Sequence, residues 1–351
     1  MWDLSNERAL ALASGILKDI PPASELWIMP HVRADGDAIG SCLGLKRILT
    51  KAGYHARLFL DEEVKESYRL LPQWTEAELW PEEPEKEADL LAECKAVGAL
   101  FVLDCHEASR LGRREKCFEA LTRRFIIDHH LFDTLPAERE WIEAGRSSTS
   151  EMIVLLAAAL SQLLKKDLFD LDMATSLALG IYTDTGGLRY SNTGVDSYLC
   201  MAALRQIGVK IAPLSEALFA SRPLSELRAK GLAFSRACWE KDGRLAWVFF
   251  NREDMLSCGA SDEDLAGICS DLREVRGTDL ALFIRLTEEQ GQEVLRINLR
   301  SSEAFDCSSL ARKWGGGGHM RASGASQTLL GRSPEEQLEI ILAEARQALS
   351  R

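Results

Sequence analysis

The sequence predicts an α/β protein: an N-terminal, mainly parallel sheet with helices on both faces, followed by a smaller C-terminal α/β domain with a mixed sheet. Three observations lead there. Apolar runs of strand length alternate with helical patterns through the first half. Those runs are apolar almost throughout, as strands covered on both faces are. The 351 residues also exceed what one ordinary core organises, so two domains are expected.

In the first half, strands are read at 25–30 ("ELWIMP"), 54–60, 99–104 and 124–128, with helices at about 38–52, 110–121, 149–165 and 171–183. The acid-rich run 80–93 carries two prolines and reads as a solvated loop entering a helix. "YSNTGVDSYLCMAALRQIG" opens a further helix with Thr193 as its N-cap and Gly208 as its stop. Residues 222–241 have helical spacing and suit a connection between domains. From about 243 the pattern changes to strands at 244–251, 279–287 and 293–301, with helices near 261–274, 307–313 and 334–349. The chain is thus divided into a first domain over 1–212, a connecting segment over 213–241 and a second domain over 242–351.

Composition narrows the function classes. With 46% hydrophobic and 27% charged residues the chain folds rather than remaining disordered. A net charge of −12 argues against wrapping long duplex nucleic acid, which needs a broad basic surface. The N-terminus is acidic where a signal peptide is basic, and the longest apolar run, 152–160, is too short to span a bilayer. No membrane association is therefore expected. The nine cysteines include no C-x-x-C pair and read as reduced thiols, which suits the cytoplasm.

The chemistry lies where the first strands end. "ELWIMP" runs into His31, Asp35 and Asp37; "ALFVL" runs into Asp104; "RFII" runs into Asp128, His129 and His130. In a parallel sheet those carboxyl ends share the edge where open α/β folds bind ligands. A fourth carboxylate, Asp184, closes a helical stretch whose interior is nearly free of charge, and a buried acid there needs a partner. Singly, each has a plain structural explanation: "DGD" as a turn and helix cap, Asp104 as a loop-forming acid, Asp128 as a strand-end acid. Jointly, four of the six histidines and at least four aspartates fall at sites that can converge. The spacing H-x-x-x-D-x-D lets one turn present three ligands, and the whole reads as a two-metal hydrolytic centre. Carboxylates mixed with imidazoles favour Mn²⁺ over thiolate-held zinc, and Mg²⁺ suits imidazole less well.

The second domain offers an anion site. Between Arg296 and Gly324 stand Arg296, Arg300, Arg312, Lys313 and Arg321 against Glu303 and Asp306, a local reversal in an acidic chain. The glycines at 315–318, among them Gly316, Gly317 and Gly318, lack Cβ atoms, so their N–H groups can cradle a phosphate with His319 adding a donor; a merely flexible loop looks the same. Arg300, at a strand end, is the best candidate for bidentate phosphate capture. Arg321 is read equally as a substrate contact or a surface ion pair, and Trp314 as a stacking face or a buried wedge beneath the loop.

"HVRADGDAIGS", "VLDC", "IIDHH" and "IYTDTGGLRYSNT", in this order, resemble motifs I to IV of the DHH phosphoesterase superfamily, and "GGGGHMRASG" at 315–324 resembles the signature of its C-terminal associated domain. The likeness spans nearly the whole chain. The "RYSNT" and "GGGGH" elements are similar to the branch of bifunctional oligoribonucleases and 3′-phosphoadenosine 5′-phosphate phosphatases, whereas inorganic pyrophosphatases of the superfamily carry a different C-terminal signature.

Carried onto this chain, the resemblance implies one metal held by His31, Asp35 and Asp104 and another by Asp37, Asp104, His129 and Asp184, with Asp104 bridging. It implies attack of an activated water on a terminal phosphorus, His130 contacting the phosphoryl or leaving oxygen, and Asp128 orienting an imidazole. His106 departs from the superfamily pattern and is left outside the ligand set. A site closed between the domains is expected to favour very short single-stranded RNA and phosphorylated nucleotides; a homodimer is compatible with the resemblance, though no residue demands one. A phosphodiesterase acting on cyclic or linear dinucleotides such as cyclic di-AMP, and a non-catalytic nucleotide-binding protein, are the alternatives.

Overall fold

The computed structural model describes residues 4–131, 136–262, 264–265, 267–289 and 291–350. The chain divides into two compact units, Met1–Ser221 and Arg222–Arg351.

In the first unit the elements run α1 (Glu7–Asp19), β1 (Glu25–Pro30), α2 (Gly36–Ala52), β2 (His55–Leu60), β3 (Ala77–Leu79), α3 (Pro84–Cys94), β4 (Ala99–Leu103), α4 (Glu115–Ala120), β5 (Arg124–Asp128), β6 (Glu140–Ile142), α5 (Thr149–Leu164), α6 (Leu171–Asp184), α7 (Val195–Ile207) and α8 (Ile211–Ser215). The six strands form one sheet in the order β3-β2-β1-β4-β5-β6, and every pair is parallel. The strand order reverses between β1 and β4, the point where such sheets open a crevice at their carboxyl ends. One core packs the sheet against α1, α2, α5, α6 and α7 through residues such as Ile28, Leu43, Phe101 and Leu156. A second lies on the opposite face, where Trp27, Leu100 and Val102 meet Cys94 and Cys117. Burial on both faces is why these strands read as continuous apolar runs.

The second unit continues with α9 (Leu224–Arg236), β7 (Cys238–Glu240), β8 (Leu245–Phe250), α10 (Arg252–Cys258), α11 (Ile268–Arg273), β9 (Leu280–Glu289), β10 (Gln292–Ser301), α12 (Cys307–Lys313), β11 (Gly317–His319), β12 (Ala322–Thr328) and α13 (Pro334–Ala348). Its sheet, β11-β12-β10-β9-β8-β7, is mixed: β8 and β9 are parallel and the other pairs antiparallel. Helices α12 and α13 cover one face and α9, α10 and α11 part of the other. The expected α/β class with a parallel sheet and a second mixed sheet is therefore what the chain adopts.

Three local expectations are corrected. The helix expected over 110–121 shrinks to α4 because Gly112, at φ 58° and ψ −132°, breaks the preceding turn. The helix expected near 261–274 shortens to α11, which starts only at Ile268, and α10, which was not expected, precedes it and ends at Gly259 in the left-handed conformation. The N-cap of α7 is Gly194 rather than Thr193; the Gly194 N–H donates to Ser197 Oγ at 3.2 Å, while the Thr193 hydroxyl is buried without a hydrogen-bond partner among the described residues.

Among the described residues, no helix is long and apolar enough to cross a membrane. All nine cysteines are free, eight of them buried.

Candidate metal centre

The topology delivers the site. His31 follows β1 and Asp104 follows β4, the two strands flanking the reversal point, and β5 delivers Asp128, His129 and His130 beside them. Asp104 sits in the left-handed region at φ 60°, a conformation an aspartate tolerates, while its N–H still donates to Ile127 O at 3.0 Å. This bend holds a nearly fully buried carboxylate at the centre of the cluster.

Asp35 is both a helix cap and a candidate ligand: its Oδ1 accepts from the N–H groups of Asp37 and Ala38 at 3.1 Å each. Asp37 lies in the first turn of α2, fully buried. Its Oδ2 accepts the Thr149 N–H at 2.6 Å and its Oδ1 the Ser150 N–H at 2.9 Å, so the N-terminus of α5 faces this carboxylate. The Thr149 hydroxyl donates to Asp104 Oδ1 at 2.9 Å.

Asp184, the last residue of α6, reaches the cluster because α2 and α6 approach closely. A Cβ on Gly40 would stand 2.5 Å from Ser176 O, and one on Gly180 would stand 2.0 Å from Ser150 Oγ and 2.8 Å from Asp37 Oδ1. Only glycine fits at either place. Asn192 Nδ2 ties down the following loop by donating to Ser147 O at 3.0 Å and Asp184 O at 3.1 Å.

Potential ligand atoms gather in overlapping groups whose members all lie within 4.8 Å of one another: His31 with Asp35 and Asp104, Asp37 with His129 and Asp184, and Asp104 with His129 and His130. Asp104 is a member of the first and third and meets the second at His129, its Oδ2 lying 3.4 Å from His31 Nε2 and its Oδ1 3.5 Å from His129 Nε2. His129 Nε2 also lies 3.1 Å from Asp184 Oδ2 and 3.9 Å from Asp37 Oδ2. All six residues expected as metal ligands are thus brought together.

The electrostatics fit cations. His31 Nδ1 lies 2.7 Å from Val32 O; if it donates there, Nε2 faces Asp104 as a lone pair, which calls for a cation or a second proton between them. Burial, aided by Asp104 and Asp184, pushes the Asp37 carboxyl well above its ordinary range, and burial does the same, less strongly, to Asp184. Burial works against the charged His129 imidazole, but Asp184, Asp37 and Asp104 outweigh it and raise its pKa to about 10. Such a surplus of confined negative charge is what divalent cations relieve. Nearby Cys42 and Cys105 do not compete as ligands, because burial keeps both as neutral thiols. Carboxylate and imidazole without thiolate fits the donor set expected for Mn²⁺.

Asp128 is fully buried beside the ligand groups. His130 Nδ1 lies 2.7 Å from its Oδ1, and His106 Nδ1 hydrogen-bonds its Oδ2. Burial pushes the Asp128 carboxyl up, but the hydrogen bonds from these imidazoles outweigh it and hold it at about 2. His106, kept out of the ligand set on sequence grounds, belongs to this buttress. Thr149 and Ser150 were missed as site residues. The signal was present: in "SSTSE", Ser148 caps α5 and accepts the Glu151 N–H at 3.0 Å, the S-x-x-E pattern of a helix start.

In the second unit the expected anion site is largely self-neutralised. Arg296 lies 3.5 Å from Asp262, Arg312 3.9 Å from Asp306, Lys313 3.2 Å from Glu344 and Arg321 2.9 Å from Glu303. Arg300 is the exception among the described residues; its Nη1 donates to Leu299 O at 3.0 Å. The glycine run is not an open nest. The N–H groups of Gly315 and Gly316 donate to Arg312 O and Ala311 O at the end of α12, and Gly317 and Gly318 pair with β12. The His319 side chain lies outside the described residues. Trp314 is the buried wedge, its Nε1 donating to Glu344 Oε2 at 2.6 Å.

Known proteins resemble this chain along most of its length. Residues 25–181 match the DHH family, N-terminal domain, and residues 254–351 match the DHHA1 domain. A bifunctional oligoribonuclease and PAP phosphatase NrnA of Thermus thermophilus is 28% identical over 97% of this chain and 95% of its own. Its namesake of Bacillus subtilis is 26% identical over 84% and 87%. A cyclic-di-AMP phosphodiesterase GdpP of Geobacillus thermodenitrificans is 24% identical over 95% of this chain but 50% of its own. The crystal structure of an exopolyphosphatase-related protein from Bacteroides fragilis superposes with a TM-score of 0.84 at 23% identity, covering 97% of this chain and 98% of that one, a likeness of fold.

Proposed function

The chain carries a DHH-family N-terminal domain followed by a DHHA1 domain, and from that pairing we propose that it is a divalent-cation-dependent phosphoesterase hydrolysing short oligoribonucleotides and 3′-phosphoadenosine 5′-phosphate. The observation that carries the reading is the sharing of Asp104 between two ligand groups, since a protein that only binds nucleotides has no need of a bridging carboxylate. The relatives named for both activities, similar along most of this chain, support the choice of substrate.

His31, Asp35 and Asp104 would hold one cation and Asp37, Asp104, His129 and Asp184 the other. Two such cations, Mn²⁺ by the donor set, would supply Lewis acidity toward the phosphoryl group and lower the pKa of a water. The protein's own groups do the rest. Thr149 and Ser150 fix the Asp37 carboxylate through backbone N–H groups, and the Thr149 hydroxyl fixes Asp104. With Nδ1–H given to Asp128, His130 faces the departing ribose oxygen with Nε2; in its doubly protonated form it gives that oxygen the Nε2 proton and takes one back from water. Arg300 supplies the anion contact of the second unit; Gly316, Gly317 and Gly318, engaged within the unit, and Arg321, paired with Glu303, are given no part in it.

Hydrolysis of cyclic or linear dinucleotides is the second reading, favoured by the likeness to the cyclic-di-AMP phosphodiesterase. The deciding experiment assays purified protein with Mn²⁺ against RNAs of two to five nucleotides, 3′-phosphoadenosine 5′-phosphate, cyclic di-AMP and its linear product. Turnover of the short RNAs and the bisphosphate, absent in Asp104→Asn, is the expected result. Turnover confined to the cyclic dinucleotide shifts the assignment, and no turnover of any ends it.

A further inference from the structure

The second unit holds a pair of arginines that the proposed chemistry does not use. Arg285 on β9 and Arg296 on β10 stand directly opposite one another in the antiparallel register, so their side chains share one face of the sheet. Two like charges at such a pair repel unless an anion lies between them. The anion present is Asp262, from the loop between α10 and α11, at 2.9 Å from Arg285 Nη2 and 3.5 Å from Arg296 Nη1.

The arrangement is lopsided. The Arg285 side chain is 6% exposed, Arg296 43% and Asp262 64%, so a solvent-facing acid is set against a deeply buried guanidinium. Among the described residues, one carboxylate leaves the pair with a positive surplus. Buried Arg285 Nε has no hydrogen-bond partner among the described residues. Glu289, which also acts on Arg285, accepts the Ser326 hydroxyl at 2.9 Å. Burial, reinforced by the facing Arg296, lowers the Arg285 pKa from its ordinary value, although Asp262 works the other way. The guanidinium is held from beneath by Phe283, 5.9 Å from its ring centroid.

From this geometry we propose that Arg285 and Arg296 form a phosphate-binding subsite in which Asp262 is a built-in occupant that an incoming phosphate displaces. A phosphoryl group brings up to two negative charges and three acceptor oxygens, matching two guanidiniums and an orphaned Nε–H better than one carboxylate does. Asp262 can leave, because it is exposed and on a loop. Arg300 lies four residues farther along β10 on the same face, about 13 Å away at strand spacing, so the two positions are distinct. The phosphate is either free or carried by a short strand; the second source rests on the phosphoesterase reading.

The test is calorimetric titration of inorganic phosphate into the full chain without divalent cations, in an Arg300→Ala background that silences the other anion contact. Both substitutions added to it, Asp262→Ala and Arg296→Gln, are at exposed or half-exposed side chains and avoid buried Arg285. Asp262→Ala is expected to tighten phosphate binding at least tenfold, and adding Arg296→Gln to remove that gain. Unchanged affinity in Asp262→Ala, or a gain that survives Arg296→Gln, overturns the subsite. Competition by 5′-phosphorylated pentaadenylate then names the source: displacement of the bound phosphate identifies a strand phosphate, its persistence a free one, and either upholds the site. Because no turnover enters the measurement, it fails or succeeds independently of hydrolytic activity.

Discussion

The Thr149 N–H donates to Asp37 Oδ2 at 2.6 Å, joining residues 112 positions apart. With the Ser150 N–H on Oδ1, the start of α5 fixes both oxygens of a carboxylate that burial and its acidic neighbours make costly to ionise. The site thus holds Asp37 ready for a cation at the expense of the cation-free fold. Asp37→Asn removes the confined charge. Its cation-free Tm is expected to stay near that of the parent, because the lost charge offsets the one N–H left facing an amide nitrogen, while the rise in Tm on adding Mn²⁺ largely disappears. Scanning calorimetry with and without Mn²⁺ checks both. A variant that keeps the full Mn²⁺ shift removes Asp37 from the ligand set.

The same surplus sets the pH dependence of the cation-free protein. His129, raised to about 10, gives stability that is fully present below its unfolded value near 6.5 and is lost as pH rises through about 10. Asp37 and Asp184 are raised too, so above about 4 the unfolded chain releases protons that the folded chain retains, and stability again falls with rising pH. Asp128 acts oppositely: held at about 2, it contributes stability above the unfolded carboxyl value that is lost as pH falls through about 2. Urea midpoints in a chelator are therefore expected to fall between pH 6 and 10, and saturating Mn²⁺ to flatten the decline. A flat cation-free profile contradicts the account.

Asp128→Asn separates orientation from ligation. The carboxylate accepts from His130 and His106 but belongs to none of the ligand groups. The amide satisfies at most one imidazole donor with the same geometry, so kcat is expected to fall about 10- to 100-fold, the range for losing a residue that orients a site group. KM and the Mn²⁺ shift in Tm should hold. A fall in Mn²⁺ affinity matching the fall in kcat makes Asp128 part of the metal site itself.

Packing is as decisive as charge where α2 meets α6. Gly180→Ala places a methyl 2.0 Å from Ser150 Oγ and 2.8 Å from Asp37 Oδ1, so α6 must move and carry Asp184 with it. Overpacking of this kind costs about 1–3 kcal/mol. Denaturant unfolding is expected to show that loss, and Mn²⁺ titration a weaker response than the parent's. Gly53→Ala, at the left-handed cap of α2, meets nothing within 4 Å and serves as the control: stability lost, cation response kept.

How much of this was legible in the sequence follows from its physics. His31, Asp104 and His129 stand at the ends of β1, β4 and β5, strands apolar enough to be read without structure, and a parallel sheet carries their ends to one edge. Asp184 was legible as an acid that its helix could not bury alone. Short edge strands β3 and β6 were not, since three residues carry no period. Nor was β12, whose "ASGASQT" has neither alternation nor β-branched bulk until β10 pairs with it. The basic run around Arg300 suggested an open anion patch because sequence shows charges but not partners; the acids of Asp262 and Glu344 arrive from 34 and 31 positions away. The second separation is the distance from Lys313 to Glu344 along the chain, beyond any local pattern.

Those partners yield the sharpest contrast for the substrate contact. Arg300 has no carboxylate within 4.0 Å among the described residues, whereas Arg321 is 59% exposed and already paired with Glu303. A charge-assisted hydrogen bond contributes about 1.5–3 kcal/mol when its partner is bound. Arg300→Ala is therefore expected to raise KM for a short RNA about 10- to 150-fold with a smaller change in kcat. Arg321→Ala, which mainly frees an exposed Glu303, should alter KM less than about threefold, the scale of a surface pair. Steady-state kinetics on one RNA trimer decides the matter, since equal effects at the two positions show that exposure and pairing do not determine which cation meets the substrate.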